Sequence, residues 1–180
     1  MAGKKTVFII PGFRHLSTSK AYKEISKFLK KDGFHPIVVP LSWKNTDFEQ
    51  NTEIFLKKYK KLNRKKKYIL GFSFGAIVAF LASTKTDVSG LILCSLSPYF
   101  KEDTKYSSLM FSDLIKQIKA EQIFMIYGTK EARSLISRVR KTYSDSSLEN
   151  KYLYSIKNID HTISHKKYLQ TIYQTTKLLN

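Results

Sequence analysis

The sequence is poor in cysteine and in long apolar runs. Cys94 is its one cysteine in 180 residues, which excludes an internal disulfide and a metal site built from several cysteines. The apolar residues before it predict a buried thiol in a strand. No segment approaches the roughly 18 consecutive apolar residues of a transmembrane helix, and the stretch 7–10 is too short for a secretion signal. We therefore expect a cytoplasmic protein.

Acidic residues are also scarce. Fourteen Asp and Glu stand against 32 Lys and Arg, which gives a net charge of +18 at pH 7. Many of the cations cluster at 57–61 and 64–67. Such a run usually forms the solvated face of a helix, and no RNA-binding, zinc-finger or zipper signature accompanies it. We expect no specific nucleic-acid partner and a weak attraction to anionic surfaces.

What the sequence does contain is enough apolar material for one folded domain over residues 1–180. Hydrophobic residues make up 42% and aromatic residues 13%, too much for a disordered chain. Apolar runs alternate with helical patterns, which predicts a three-layer α/β/α sandwich around a six-stranded, mostly parallel sheet. The predicted strands are 6–10, 36–41, 67–72, 90–95, 122–127 and about 152–156. The predicted helices are 19–31, one from the capping-box residue Thr46 to Leu62, 74–83, 109–119, one carrying Leu135 and Val139, and 164–179.

The segment Gly71-Phe72-Ser73-Phe74-Gly75 joins the third strand to an apolar helix. In this context it matches a nucleophile elbow, a sharp turn that lifts a serine hydroxyl above the sheet edge. The glycines two residues before and after Ser73 leave room for the strand and the helix to cross closely. Ser73 is therefore the candidate nucleophile.

A serine hydroxyl needs a base to accept its proton, and the sequence offers four histidines. His161 follows the last strand, where the chain order of nucleophile, acid and base places it in this architecture. His35 begins a strand at the opposite edge, and His165 falls in the first turn of the last helix. His15 follows the first strand at the same edge as Ser73, so it remains a rival base or a substrate contact.

The base in turn needs an acid that orients it, from a loop between Ser73 and His161. Glu131 follows the fifth strand, three residues after Gly128, and is our candidate. The alternative interpretation of Glu131 is an ordinary carboxylate at a helix N-terminus, where it stabilises the helix dipole. Four other carboxylates are less well placed: Glu102, Asp103, Asp145 and Asp160.

The oxyanion of a tetrahedral intermediate needs two backbone donors. The N–H of the residue after the nucleophile, Phe74, supplies one. The loop after the first strand supplies the other, from Phe13, and Gly12 lets that backbone approach closely.

Together these segments resemble the α/β-hydrolase family of serine hydrolases, in a small form without a large cap. The resemblance covers nearly the whole chain and rests on Pro11-Gly12-Phe13, Gly71-Phe72-Ser73-Phe74-Gly75, Gly128-Thr129-Lys130-Glu131 and Asp160-His161. It implies a Ser73, His161 and Glu131 triad, acyl-enzyme chemistry and no cofactor. Two departures are a glutamate where aspartate is commoner, and a sheet without the first two strands of full-size members.

The predicted substrate is a small carboxylic ester with a short or medium acyl chain, with thioesters and amides as less favoured electrophiles. Gly12, His15, Trp43 and Tyr99 all lie near strand ends and are candidate substrate contacts. Residues 97–112 are a candidate lid. The alternative hypothesis is a catalytically silent binding module that uses the basic surface, because a fold does not fix a function.

Overall fold

The computed structural model describes residues 5–43, 48–97 and 113–179. In these ranges strands and helices alternate as the sequence predicts. The strands are β1 (Thr6–Ile10), β2 (His35–Val38), β3 (Lys67–Phe72), β4 (Gly90–Cys94), β5 (Ile123–Gly128) and β6 (Lys151–Ile156). The longer helices are α1 (Lys20–Lys31), α2 (Phe48–Lys61), α3 (Phe74–Lys85), α4 (Arg133–Asp145) and α5 (Lys166–Thr176).

The strands form one six-stranded sheet in the order β2-β1-β3-β4-β5-β6. Every pairing between neighbouring strands is parallel. In the register, Ile10 lies opposite Gly71, and Phe72 lies opposite Cys94. The carboxyl ends of the strands therefore meet along one edge, where an open parallel sheet places its ligand sites.

Helices cover both faces of the sheet, so its central strands are buried on two sides. In β1, Val7 and Ile9 face a core shared with α1 and α5, whereas Phe8 and Ile10 face a core shared with α2 and α3. Side chains that alternate between two apolar layers explain why buried parallel strands are continuous apolar runs in the sequence. The three-layer α/β/α prediction is confirmed.

Helix α3 lies deepest in the structure. All its residues from Gly75 to Ser83 are buried. A helix that is apolar on every side is stable only when it is surrounded, here by β1, β3, β4 and α2. Because α3 directly follows Ser73, the backbone after Ser73 is packed on all sides.

Some predicted boundaries were wrong. The second strand ends at Val38 rather than at 41, because its pairing with β1 stops there and the chain turns away with one last bond from the Val39 N–H to Ile9. The last helix begins at Lys166, since His165 is its N-cap and accepts a hydrogen bond from the Lys167 N–H. Of the helix predicted at 109–119, residues 113–119 are described, and only 113–115 are helical.

Several predictions fall outside the described residues. These are the capping residue Thr46, the candidate contact Tyr99, and all of the candidate lid except its first residue, Ser97. Among the helices that the structure describes, none has both the length and the apolar character needed to cross a bilayer.

Candidate active site

Ser73 occupies a strained backbone conformation between β3 and α3. Its φ of 55° and ψ of −117° lie where residues other than glycine are rare. The strain persists because strand and helix cross so closely that a Cβ on Gly71 would overlap the Gly75 backbone, and one on Gly75 would overlap the Ile10 carbonyl. Two glycines are therefore required for this turn, as the sequence predicts.

The structure brings Ser73, His161 and Glu131 together from three separate loops. The Nε2 atom of His161 lies 2.8 Å from the Ser73 Oγ. Its Nδ1 atom lies 3.5 Å from Oε2 of Glu131, at the long end of the range for a hydrogen bond. When Nδ1–H faces the carboxylate, Nε2 presents its lone pair to the serine hydroxyl, which is the arrangement that proton removal requires.

The side chain of Glu131 is fully buried, whereas that of His161 is 42% exposed. The Oε1 atom of Glu131 accepts hydrogen bonds from the Gly128 N–H at 3.0 Å and from the Ser95 hydroxyl at 2.6 Å. These two donors fix Oε1 and leave Oε2 for the imidazole. A buried carboxylate with this many donors has lost little of the stabilisation that water would give it.

A second layer of contacts holds Ser95. The Tyr168 hydroxyl lies 2.6 Å from the Ser95 Oγ and 3.2 Å from the Ile126 carbonyl oxygen. Because the Ser95 hydrogen goes to Glu131, the hydrogen of Tyr168 is shared between these two acceptors. Burial raises the pKa of Tyr168 well above its ordinary value, so that the phenol keeps its proton. The acid is thus oriented by a chain that begins in α5.

The loops after β5 and β6 approach closely enough to bring the acid and the base together. A Cβ on Gly128 would overlap the carbonyl of Ile159. The same carbonyl accepts a hydrogen bond from the Lys130 N–H at 2.8 Å. Since Ile159 is two residues before His161 and Lys130 is next to Glu131, this bond fixes the separation of the two loops.

The two candidate oxyanion donors flank the serine. A Cβ on Gly12 would lie 3.3 Å from the Cβ of Ser73, so the loop after β1 passes directly beside the nucleophile. Phe13 follows Gly12, and Phe74 is the first residue of α3, where a helix leaves its N–H without a partner in the helix. Among the described residues, no hydrogen bond uses the N–H of Phe13 or Phe74.

A cavity of about 320 Å³ opens above the serine. Its walls are mostly apolar and carry three phenylalanines, Phe13, Phe72 and Phe74. The remaining lining residues are His15, Ser73, Ser97, Ala132, Leu135 and His161. This volume is at the small end of known ligand pockets, which span roughly 300–1,000 Å³.

Solved structures share the fold of this chain although their sequences are distant. The structure of ferulic acid bound to Est1E from Butyrivibrio proteoclasticus matches with a TM-score of 0.81 and 12% identity, over 99% of this chain and 90% of that one. A monoacylglycerol lipase from Paleococcus ferrophilus matches with a TM-score of 0.75 and 12% identity, over 97% and 94%. Alpha/beta hydrolase domain-containing protein 10 from mouse matches with a TM-score of 0.80 and 13% identity, over 98% of this chain and 90% of that one.

The chain has the α/β-hydrolase fold. Comparison with protein-family models gives no match. Comparison with the sequences of curated proteins gives none either. Within the described residues, no cap domain follows any strand of this α/β-hydrolase fold, and β2 forms one edge of the sheet.

The other predicted site residues have different surroundings. Trp43 does not line the cavity and packs edge-on against Phe74, with ring centroids 5.9 Å apart. His15 does line it, and its ring stacks on Phe72 at 5.5 Å. Asp145 pairs with Lys141 at 2.8 Å on α4, away from the site. Asp160 is exposed beside His161, and residues 102 and 103 lie outside the described residues.

Sequence reasoning missed Ser95, Tyr168 and Tyr22. Ser95 directly follows β4 at the same edge as the other site residues, so its position was a usable signal. Tyr168 and Tyr22 lie on the apolar faces of α5 and α1, where a tyrosine is indistinguishable in sequence from an ordinary core residue. Only the fold shows that their hydroxyls reach polar groups near the serine.

Proposed function

We propose that the protein is a serine hydrolase that cleaves carboxylic esters through an acyl-enzyme. The observation that carries the proposal is the 2.8 Å contact between His161 Nε2 and Ser73 Oγ, with the buried Glu131 behind the imidazole. A hydroxyl hydrogen-bonded to a base that is itself oriented by a carboxylate is the arrangement of an activated nucleophile.

In the first half-reaction, His161 Nε2 takes the proton from Ser73 while Oγ forms a bond to the ester carbonyl carbon. The carbonyl oxygen becomes an oxyanion that accepts hydrogen bonds from the N–H groups of Phe13 and Phe74. Collapse of this intermediate breaks the bond to the alkoxy oxygen, which leaves as the alcohol with the proton from His161. Glu131 stabilises the transient imidazolium.

In the second half-reaction, His161 removes a proton from water, and the resulting hydroxide attacks the acyl-enzyme. A second oxyanion forms at the same two donors. Its collapse returns the proton to Ser73 Oγ and releases the carboxylic acid, so the enzyme is regenerated.

The cavity favours short or medium acyl groups and aryl groups. Its volume of about 320 Å³ and its three phenylalanines suit a flat or compact apolar acyl group. The solved structure of Est1E with ferulic acid, an aromatic acid, supports this class. Thioesters and amides are less favoured substrates of the same site.

The test is an ester and thioester panel measured with wild type and with Ser73→Ala. Loss of the nucleophile should lower kcat by roughly 10⁵- to 10⁶-fold. Ser137→Ala is the matched control, because Ser137 is exposed on α4 and should leave kcat unchanged. Ester hydrolysis that survives in Ser73→Ala would overturn the proposal.

A second candidate function is anion binding without catalysis, favoured by the stretch 57–67. It holds eight Lys and Arg and no carboxylate. Six of these cations are exposed: Lys57, Lys58, Lys60, Lys61, Arg64 and Lys65. Binding to anionic phospholipid vesicles at ~0.15 M salt that weakens as the salt is raised to ~0.5 M, where charge attraction is screened, together with no hydrolase activity, would favour this function. Binding that vanishes at ~0.15 M salt would leave it unsupported.

A further inference from the structure

A buried hydroxyl that the proposed mechanism does not use lies under the loop after β1. Tyr22, on α1, has no exposed surface. Its hydroxyl oxygen accepts a hydrogen bond from the Gly12 N–H at 3.1 Å and lies 2.9 Å from the Nδ1 atom of His15. One phenol therefore joins a helix to two residues of the loop that passes the nucleophile.

The hydrogen of this hydroxyl has a defined acceptor. Burial raises the pKa of Tyr22 above its usual range, so the phenol is neutral and retains its hydrogen. Because the Gly12 N–H is itself a donor, the hydrogen goes to Nδ1 of His15. His15 is then the neutral tautomer protonated at Nε2. Partial burial, together with the charge of His161, lowers the pKa of His15 and favours that neutral form.

The loop is fixed at Gly12 from both sides. Its N–H is bound to Tyr22, and its carbonyl accepts a hydrogen bond from the His15 N–H at 3.1 Å. That carbonyl belongs to the same planar peptide unit as the Phe13 N–H, and in a trans peptide the two groups point in opposite directions. A carbonyl held toward His15 therefore directs the Phe13 N–H away from His15.

We propose that Tyr22 is a positioning residue for the oxyanion hole. Its hydroxyl fixes Gly12 and His15, and the loop held in this way presents the Phe13 N–H to the reacting carbonyl. This inference rests on the proposed hydrolase function. Tyr22 never touches substrate, and its effect belongs to the transition state, where the oxyanion forms, rather than to substrate binding.

Tyr22→Phe is the direct test, because it removes the hydroxyl and keeps the ring. The expected result is a kcat about 10- to 100-fold lower with KM unchanged, since a misplaced donor weakens transition-state binding alone. Affinity for a trifluoromethyl ketone, which forms an oxyanion adduct with the serine, should fall by the same factor. A purely structural role would lower the melting temperature without this parallel loss.

Tyr59→Phe is the matched control. Tyr59 lies on α2, away from Ser73, and is also a fully buried tyrosine. Its hydroxyl donates a hydrogen bond to the Asp87 carbonyl at 2.8 Å. Its loss should reduce stability about as much as Tyr22→Phe does, yet leave kcat and ketone affinity at wild-type values. Equal kcat in Tyr22→Phe and Tyr59→Phe would overturn the inference.

Variants of His15 provide a second arm if Tyr22→Phe does not fold. His15 lies in a surface loop and is only partly buried, so its replacement should not unfold the chain. Both variants lose the ring that lines the cavity, so they are compared with each other rather than with wild type. His15→Asn keeps an acceptor near the Nδ1 position, whereas His15→Leu removes it and should have a kcat about 10-fold or more below that of His15→Asn. Equal kcat in these two variants would contradict the inference. Loss of the proposed function itself would be visible separately, as ester hydrolysis that survives in Ser73→Ala.

Discussion

At the scale of single residues, Glu131 shows how surroundings decide what a carboxylate does. A charged group without solvent exposure is costly unless every oxygen has partners. Gly128 and Ser95 satisfy Oε1, and His161 faces Oε2. Exposed Asp160, next in sequence to the base, has none of these restraints and makes no side-chain contact with His161. In the proposed triad, orientation rather than proximity along the chain distinguishes Glu131 from Asp160.

Replacement of Glu131 by glutamine tests this role. The amide keeps the shape of the side chain but removes the negative charge that stabilises the imidazolium. We expect kcat to fall by roughly 10²- to 10⁴-fold, as when the acid of a serine triad is neutralised. Steady-state kinetics at pH 7.5 measures the effect, and a melting curve verifies that the variant is folded. A kcat within threefold of wild type would remove Glu131 from the mechanism.

The order of residues along the chain was sufficient to predict which site residues meet. Ser73, His161 and the favoured acid Glu131 each follow a strand, and parallel strands gather such positions at one edge. Site residues that lie on helix faces, such as Tyr22, could not be predicted from the sequence. The pattern that identifies an amphipathic helix does not distinguish a tyrosine that hydrogen-bonds to Gly12 from one that only packs in the core. Local sequence also does not show that Phe74 lines the cavity while Trp43 packs against Phe74, so the role of Trp43 as a substrate contact stays a prediction.

At the scale of secondary-structure elements, the crossing of β3 and α3 beside β1 sets the position of the nucleophile. The two glycines of the elbow allow backbone to touch backbone there. Gly33 serves a different purpose, because it ends α1 with a φ of 83° and has open space around it. The same residue type is therefore required for steric reasons at Gly75 and for conformational reasons at Gly33.

These two requirements predict different costs. Gly75→Ala should lower the free energy of unfolding by about 3 kcal/mol or more, because the new methyl group overlaps the Ile10 carbonyl in the core. Gly33→Ala should cost only about 1 kcal/mol, the penalty of a left-handed conformation. Urea denaturation of both variants measures the difference. Equal costs would show that the elbow is less tightly packed than described.

Elements that are buried on both faces were predicted most accurately. β1 and β3 have the predicted bounds, because continuous apolar runs are required between two layers of helices. The bounds of β2 were wrong because apolar residues continue to Leu41, beyond the last residue that pairs with β1. An edge strand ends where its one neighbour ends, and sequence alone does not show that point.

At the scale of the whole molecule, the proposed triad and the basic stretch 57–67 lie at opposite edges of the sheet. That stretch spans the end of α2 and the start of β3. A second cavity of about 560 Å³ lies at the same amino-terminal edge and includes Lys65, Lys67 and Lys119 in its wall. Its wall includes neither a histidine nor Ser73, so the proposed hydrolysis belongs to the smaller cavity. Binding of an anion at the basic edge would leave the serine accessible.

The rate at which the Cys94 thiol is alkylated measures the global stability of the protein. Cys94 is fully buried in β4, between β3 and β5, and burial raises its pKa above the ordinary value. At pH 8 the native thiol is both protonated and inaccessible, so alkylation by iodoacetamide requires unfolding. We expect the alkylation rate to follow global unfolding as urea is added. In Ser137→Cys the added exposed thiol should react at once, and rapid modification of Cys94 in the native wild type would contradict the described packing.

The central claim is that Ser73 is activated by His161. Reaction with a fluorophosphonate probe, followed by mass spectrometry of the labelled peptides, tests it most directly, because the probe requires an activated serine. The account predicts a single adduct on Ser73 in the wild type, none in Ser73→Ala, and labelling slowed by several orders of magnitude in His161→Ala. Folded wild-type protein that remains unlabelled, or that labels equally fast without His161, would contradict it.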